Sequence, residues 1–178
     1  MKNISICMKM ILLLFVFVPI ASSSQFYSDV DNFKRNSVYL EFLGNGGASF
    51  TINYERILIN GNDKFAVRSG FGYFPESYYY TIAVPLEFIV IFGSKLHHIE
   101  LGGGITYYAT IDNEIDPHDN QRDVFTSILV IPRLGYRFTG KKGLLIRIGY
   151  TPVLQLPYLS EFDQPFQLFG GLSLGYSF

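Results

Sequence analysis

The chain has 178 residues, a formal net charge of −1, 17% aromatic residues and only 16% charged residues. Nothing in it is basic enough for a nucleic-acid footprint, and the length suits one domain. Cys7, Lys2 and Lys9 all lie in an N-terminal segment that reads as cleavable, so the mature chain is expected to have no thiol or disulfide chemistry and a formal charge of −3.

Residues 1–24 have the three regions of a secretory signal. Lys2 and Lys9 precede an apolar run over 11–18 (ILLLFVFV), Pro19 breaks the run, and Ala21, Ser22, Ser23 and Ser24 are small enough for a cleavage site. The run is too short to cross a bilayer comfortably as a helix. Residues 25–36 (QFYSDVDNFKRN) read as a polar periplasmic lead-in, and 37–178 as the folded domain. No continuous apolar helix follows Pro19, so any membrane insertion must use strands.

From Ser37 onward, period-two alternation and turn signals predict eight strands: 37–44, 47–59, 64–73, 80–92, 97–108, 124–138, 144–152 and 166–178. Most have the length of about 9–11 residues that a tilted transmembrane strand needs. Tight turns are expected at 60–63, 93–96 and 139–143, with longer loops at 74–79, 109–123 and 153–165. Asn45-Gly46 is a further hairpin signal. Short turns on one side and long loops on the other describe an outer-membrane barrel whose two ends lie in the periplasm. A soluble lipocalin-like barrel is the competing arrangement, but it requires a polar exterior.

The last strand carries its own signal. Phe166, Leu168, Gly170, Leu172, Leu174, Tyr176 and Phe178 fall on one face, opposite a mostly small or polar set. Several segments together resemble the superfamily of small outer-membrane β-barrel proteins that includes the OmpA transmembrane domain and OmpX. They are the signal, residues 39–47 (YLEFLGNGG), 53–56 (NYER), 131–137 (IPRLGYR) and 171–178 (GLSLGYSF). The resemblance implies an all-β, eight-stranded antiparallel up-and-down transmembrane barrel in the outer membrane of a Gram-negative envelope. It also implies that Tyr176 and Phe178 are the assembly signal read by the barrel-insertion machinery. No peptidoglycan-binding domain follows Phe178, so a cell-wall tether is not expected.

Strand parity gives each charged residue a face. Ile52, Tyr54, Val84, Phe88, Leu101 and Ile148 belong to outward sets, which sends Glu41, Glu55, Arg68, Glu87, Glu100, Arg133, Arg137 and Arg147 inward as one belt near the periplasmic end. Such a belt is either an ion pathway or a plug of charge-assisted bonds, and arginine with its planar fork favours the plug. Beyond it the inward residues are small, with many glycines, which makes the outer half of the lumen the best candidate pocket; Tyr108, Leu129 and Phe169 are placed to fill it.

The long loops carry eight acidic residues against Arg122, a net −7 at the outer rim. Asp112, Glu114, Asp116, His118 and Asp119 offer hard ligands for a divalent cation, but the spacing lacks the EF-hand glycine and terminal glutamate. His118, Asp116, Asp119 and Ser160 are the only outer-side candidates for catalysis, and no nucleophile elbow accompanies them. No metal, cofactor or catalytic residue is therefore expected. The reading is a non-enzymatic barrel that stabilises the envelope or presents loops 74–79, 109–123 and 153–165 to surface partners, with outer-membrane lipids around it. A barrel binding or transporting a small molecule or ion through the glycine-lined outer lumen is the alternative, and an outer-leaflet lipid-modifying enzyme a remote one.

Overall fold

In a computed structural model of the protein, residues 34–46, 50–114, 122–155, 166–167 and 170–178 are described. They form strands β1 (Asn36–Phe42), β2 (Phe50–Asn60), β3 (Lys64–Pro75), β4 (Tyr79–Ser94), β5 (His97–Asp112), β6 (Val124–Thr139), β7 (Leu144–Tyr150), β8 (Val153–Gln155), β9 (Phe166–Gln167) and β10 (Gly170–Ser177). Consecutive neighbours are antiparallel, β1 pairs with β10, and β5 pairs with β6, so the sheet closes on itself. The ten segments make eight staves. Against β6, β8 continues the register of β7: Leu134 faces Tyr150 and Val130 faces Leu154. In the same way β9 continues β10, with Gly170 opposite Tyr150 and Gln167 opposite Val153. The fold is a closed, eight-stranded, antiparallel, up-and-down barrel.

Burial alternates residue by residue along β1, β2, β7 and β10, the pleat's period of two made visible. Its exposed face is apolar. Leu40, Ile52, Phe88, Leu101, Ile148 and Leu174 all point outward. Aromatics gather at both margins of this aliphatic band. Tyr54, Tyr136, Tyr176 and Phe178 lie near the tight-turn end, and Phe42, Phe50, Tyr73 and Tyr150 near the other. Amphipathic rings at both margins of an outward apolar band are what a bilayer selects in a barrel. His97 and Tyr136 tie adjacent strands at one margin through a 2.5 Å bond between Nδ1 and the phenol.

Four connections differ from the sequence expectation. Asn45-Gly46 does not close a two-residue hairpin. Instead the chain takes positive φ at Leu43 (59°) and Gly44 (79°), forms one 3₁₀ turn over Gly44–Gly46 and buries it. A hairpin signal assumes that flanking residues pair with each other, and here the asparagine finds partners inside the barrel. The loop expected at 74–79 shrinks to 76–78, because β3 and β4 keep pairing to Pro75 and Tyr80. Glu76 N–H bonds to Tyr79 O at 2.8 Å to close that turn, and the Thr81 and Thr110 hydroxyls meet at 3.0 Å on the next seam. Within 109–123, β5 runs on to Asp112, and within 153–165, Val153–Gln155 is strand. β4, β5 and β6 each have 16 residues against 7 in β1, so one wall of the barrel carries the longest strands.

Candidate functional site: a layered ionic lumen

Glu41, Glu55, Arg68, Glu87, Glu100, Arg133, Arg137 and Arg147 all point into the barrel, and none is more than 3% exposed. They are not one belt. They divide into two closed rings of four, in each of which every carboxylate bridges two guanidiniums and every guanidinium bridges two carboxylates.

In the first ring Arg68 Nη2 donates to Glu87 Oε1 at 2.5 Å and lies 3.4 Å from Glu41 Oε2. Arg133 closes it, with Nη2 on Glu41 Oε1 at 2.6 Å and Nε on Glu87 Oε2 at 3.2 Å. In the second ring Arg137 Nη1 donates to Glu55 Oε1 and lies 3.4 Å from Glu100 Oε1. Arg147 completes it through Nη2 on Glu100 Oε2 at 2.5 Å and Nη1 at 3.3 Å from Glu55 Oε2. Arg133 and Arg137 share β6, and Arg137 is nearer the tight-turn end, so the second ring lies on that side of the first.

Both rings are neutral, with two positive and two negative groups. Burying a lone charge costs several kcal/mol, and only paired, hydrogen-bonded geometry offsets that cost. Further bonds reach the rings from neighbouring hydroxyls: Ser173 Oγ donates to Glu41, and Arg137 donates to Thr139 Oγ1 and Ser37 Oγ, while Arg68 Nε is buried without a hydrogen-bond partner among the described residues. Tyr39 sits between the rings. Its phenol accepts from Arg68 Nη1 at 3.0 Å, while the Arg147 guanidinium lies 4.8 Å from its ring centroid. Gly175 faces Tyr39 across the β1–β10 ladder, and a Cβ there would run into the tyrosine's own Cβ.

Layers of other chemistry close the lumen on either side. Towards the tight turns, Ile57, Ala66, Ile89 and Ile91 form a buried apolar cluster, and Lys64 and His98 are buried nearby on β3 and β5. Lys64 is not among the residues that strand parity sends inward from the sequence, yet at the first residue of β3 it has the inward phase of Ala66 and Arg68. Towards the long loops, the Gly44–Gly46 turn crosses the interior. Asn45 Nδ2 donates to Asn53 Oδ1, Thr51 Oγ1 donates to Asn45 Oδ1, and Thr106 Oγ1 on the opposite wall donates to the Asn45 carbonyl at 2.9 Å. The glycine-lined outer lumen is thus entered by the chain's own backbone.

The terminal strand presents Tyr176 and Phe178 outward, their rings stacked with centroids 6.5 Å apart, and Lys34 Nζ lies 5.0 Å over Tyr176. His118, Asp116, Asp119, Ser160 and Phe169 fall outside the described residues, as do signal residues 1–24. Among the described residues no cluster of potential metal ligands forms.

No family model matches the sequence, and no curated protein does. Two solved structures match the fold. The N-terminal β-barrel domain of Pseudomonas aeruginosa OprF aligns with a TM-score of 0.57 at 10% identity, over 83% of this chain and 98% of that one. Ail, the attachment invasion locus protein of Yersinia pestis, solved in complex with the heparin analogue sucrose octasulfate, aligns with a TM-score of 0.50 at 13% identity, over 82% and 97%. This is the outer-membrane eight-stranded barrel fold.

Within this barrel, sequence reasoning missed two parts of the site. Tyr39 shares the phase of Glu41 two residues away, a signal that charge-centred reading passed over. Asn45 looked like half of a hairpin dipeptide, and nothing local marks it as the residue that crosses the lumen.

Proposed function

We propose that the protein is a non-enzymatic integral outer-membrane barrel with tight turns and both chain ends in the periplasm, whose lumen is a structural plug and whose longer loops face partners outside. One observation carries this reading: an apolar outer face encloses eight mutually paired, buried charges. An ion pathway needs sites that are favourable enough to enter and weak enough to leave, whereas every group in these rings has two opposite partners. An eight-stranded barrel has an interior just wide enough for side chains to fill it. The Asn45 turn and the Ile57–Ile91 cluster support closure from both sides.

Tyr176 and Phe178 are proposed as the assembly signal, supported by their exposure at the end of an outward stripe. The connections at 74–79, 109–123 and 153–165 are proposed as the surfaces offered to partners. Planar-bilayer recording of the refolded protein tests the central claim. Conductance at background supports the plug, and steady ion-selective openings would overturn it.

A further inference from the structure

The ladder that β6 forms with β7 and β8 lacks a central rung. β6 pairs with β7 as far as Leu134–Tyr150, and pairing resumes at Val130–Leu154. Between these rungs Pro132 faces Pro152. Backbone direction follows from the ends of the strands. Thr139 N–H bonds to Leu96 O, towards β5, and Gly140 N–H bonds to Leu144 O, towards β7. Alternation from these bonds aims the backbone of Pro132 at β8 and that of Pro152 at β6. The two donors that would form this rung are therefore both proline ring nitrogens. Two carbonyls face each other with no N–H between them, over a stretch of four residues, about 13 Å of strand. An unsatisfied backbone group in hydrocarbon is costly, so such a seam is unusual in a transmembrane wall.

The lumen behind the seam is different from the rest. Ile131 and Val153, the inward neighbours of the two prolines, form a buried apolar cluster with Leu129, and Tyr108 packs against it. The Tyr108 hydroxyl is buried and has no hydrogen-bond partner among the described residues. Elsewhere at this level the interior is polar, with Thr51, Asn53, Thr106 and Asn45. The β3–β4 ladder makes the contrast. It too is interrupted at a proline, between Ser69–Leu86 and Gly72–Ala83 around Pro85, but Asn53 lies behind it, close to Gly70.

We propose that the β6–β8 seam is a lateral opening through which one acyl chain of a membrane lipid, from the leaflet at the long-loop end, enters the wall and lies on Tyr108, Leu129, Ile131 and Val153. The outward neighbours Leu134, Tyr150 and Leu154 are apolar and exposed, so hydrocarbon is continuous from the bilayer to the patch. Tyr108 lies nearer the long-loop end than Ile131, since it pairs with Ser127 while Ile131 pairs with Gly104. Its hydroxyl is then a donor for the ester oxygen at the head end of the chain. The plug is untouched, because the patch lies to the long-loop side of both rings.

The chain contains no tryptophan, so a single introduced tryptophan reports alone. Three variants, Tyr108→Trp behind the seam, Tyr107→Trp facing lipid and Tyr39→Trp inward behind unbroken ladders, are refolded into phosphatidylcholine vesicles with or without bromine on the acyl chains. Bromine quenches only at close range. Tyr108→Trp should be quenched at least half as strongly as Tyr107→Trp, and Tyr39→Trp far less. Adding Pro132→Val and Pro152→Thr restores both donors and should bring Tyr108→Trp down to the level of Tyr39→Trp. Equal quenching of Tyr108→Trp and Tyr39→Trp in the unaltered wall would overturn the proposal, as would quenching at Tyr108→Trp that ignores the closing pair. If the closing pair does not fold, the first comparison decides by itself. Because none of these readouts involves conductance, failure here is separate from failure of the plug.

Discussion

Glu55 lies directly opposite Arg68 across the β2–β3 ladder, yet its carboxylate bonds to Arg137 and Arg147 instead. Arg68 turns to Glu87 and Glu41. Adjacency in the sheet thus does not by itself decide partnership in the lumen: Arg68 bonds to Glu87, its neighbour across the β3–β4 ladder, but not to Glu55, its neighbour across the β2–β3 ladder. In so narrow a barrel long side chains reach across the interior, and the pairing follows depth in the barrel rather than adjacency along the sheet.

That division has an energetic signature. Glu87→Ala strips two guanidiniums of a shared partner and should destabilise the barrel by roughly 3–5 kcal/mol. Arg133→Ala should cost a similar amount. Reversible urea unfolding in detergent measures both, and a loss below about 1 kcal/mol for either would show that the ring is solvated.

The rings should also couple internally more than with each other. A double-mutant cycle of Glu41→Ala with Arg133→Ala should give an interaction energy of about 1–3 kcal/mol, and Glu41→Ala with Arg147→Ala distinctly less. Tyr39 touches both rings, so the second value should fall further when Tyr39→Phe is the background. Equal coupling in both cycles would mean a single network.

How much of this was legible beforehand follows from range. Parity and turn chemistry are local, so they located the eight staves and the inward phase of Glu41 through Arg147 from the residues alone. Closure, shear and depth are not local. Which glutamate meets which arginine depends on the stagger of strands far apart in the chain, and no pattern around Glu55 points to Arg137. The loop at 74–79 was misjudged because Tyr79, Tyr80 and Thr81 are good strand formers that pair as long as a partner strand continues. The Pro132–Pro152 seam was readable in principle: counting outward from the 140–143 turn brings the two prolines level.

Gly44 tests the buried turn. It holds φ at 79°, and a Cβ would stand 2.8 Å from the Glu41 carboxylate. Gly44→Ala adds a left-handed backbone penalty of about 1–2 kcal/mol and presses on a ring member. The expected result is a lower unfolding midpoint at unchanged m-value; an unchanged midpoint would place the turn outside the lumen.

Orientation can be read on intact cells. If the tight turns are periplasmic, externally added protease should cut only within 74–79, 109–123 or 153–165, and Lys95 and Lys141 should be protected until the outer membrane is opened. Cleavage at either lysine in sealed cells would invert the barrel.

The terminal aromatics separate assembly from stability. Phe178 is more than half exposed and stacks on Tyr176, although its backbone N–H and carbonyl both bond to Asn36 across the barrel's closing seam. Phe178→Ala keeps those backbone bonds and removes only an outward ring, so spontaneous refolding in detergent should be nearly unaffected, within about 1 kcal/mol. If the ring is read during insertion, the same substitution should lower the amount of heat-modifiable barrel in the outer membrane several-fold. Tyr176→Ala should act in the same direction. Equal losses in detergent and in cells would make the pair a stabilising contact, and unchanged yield in cells would remove the assembly role altogether.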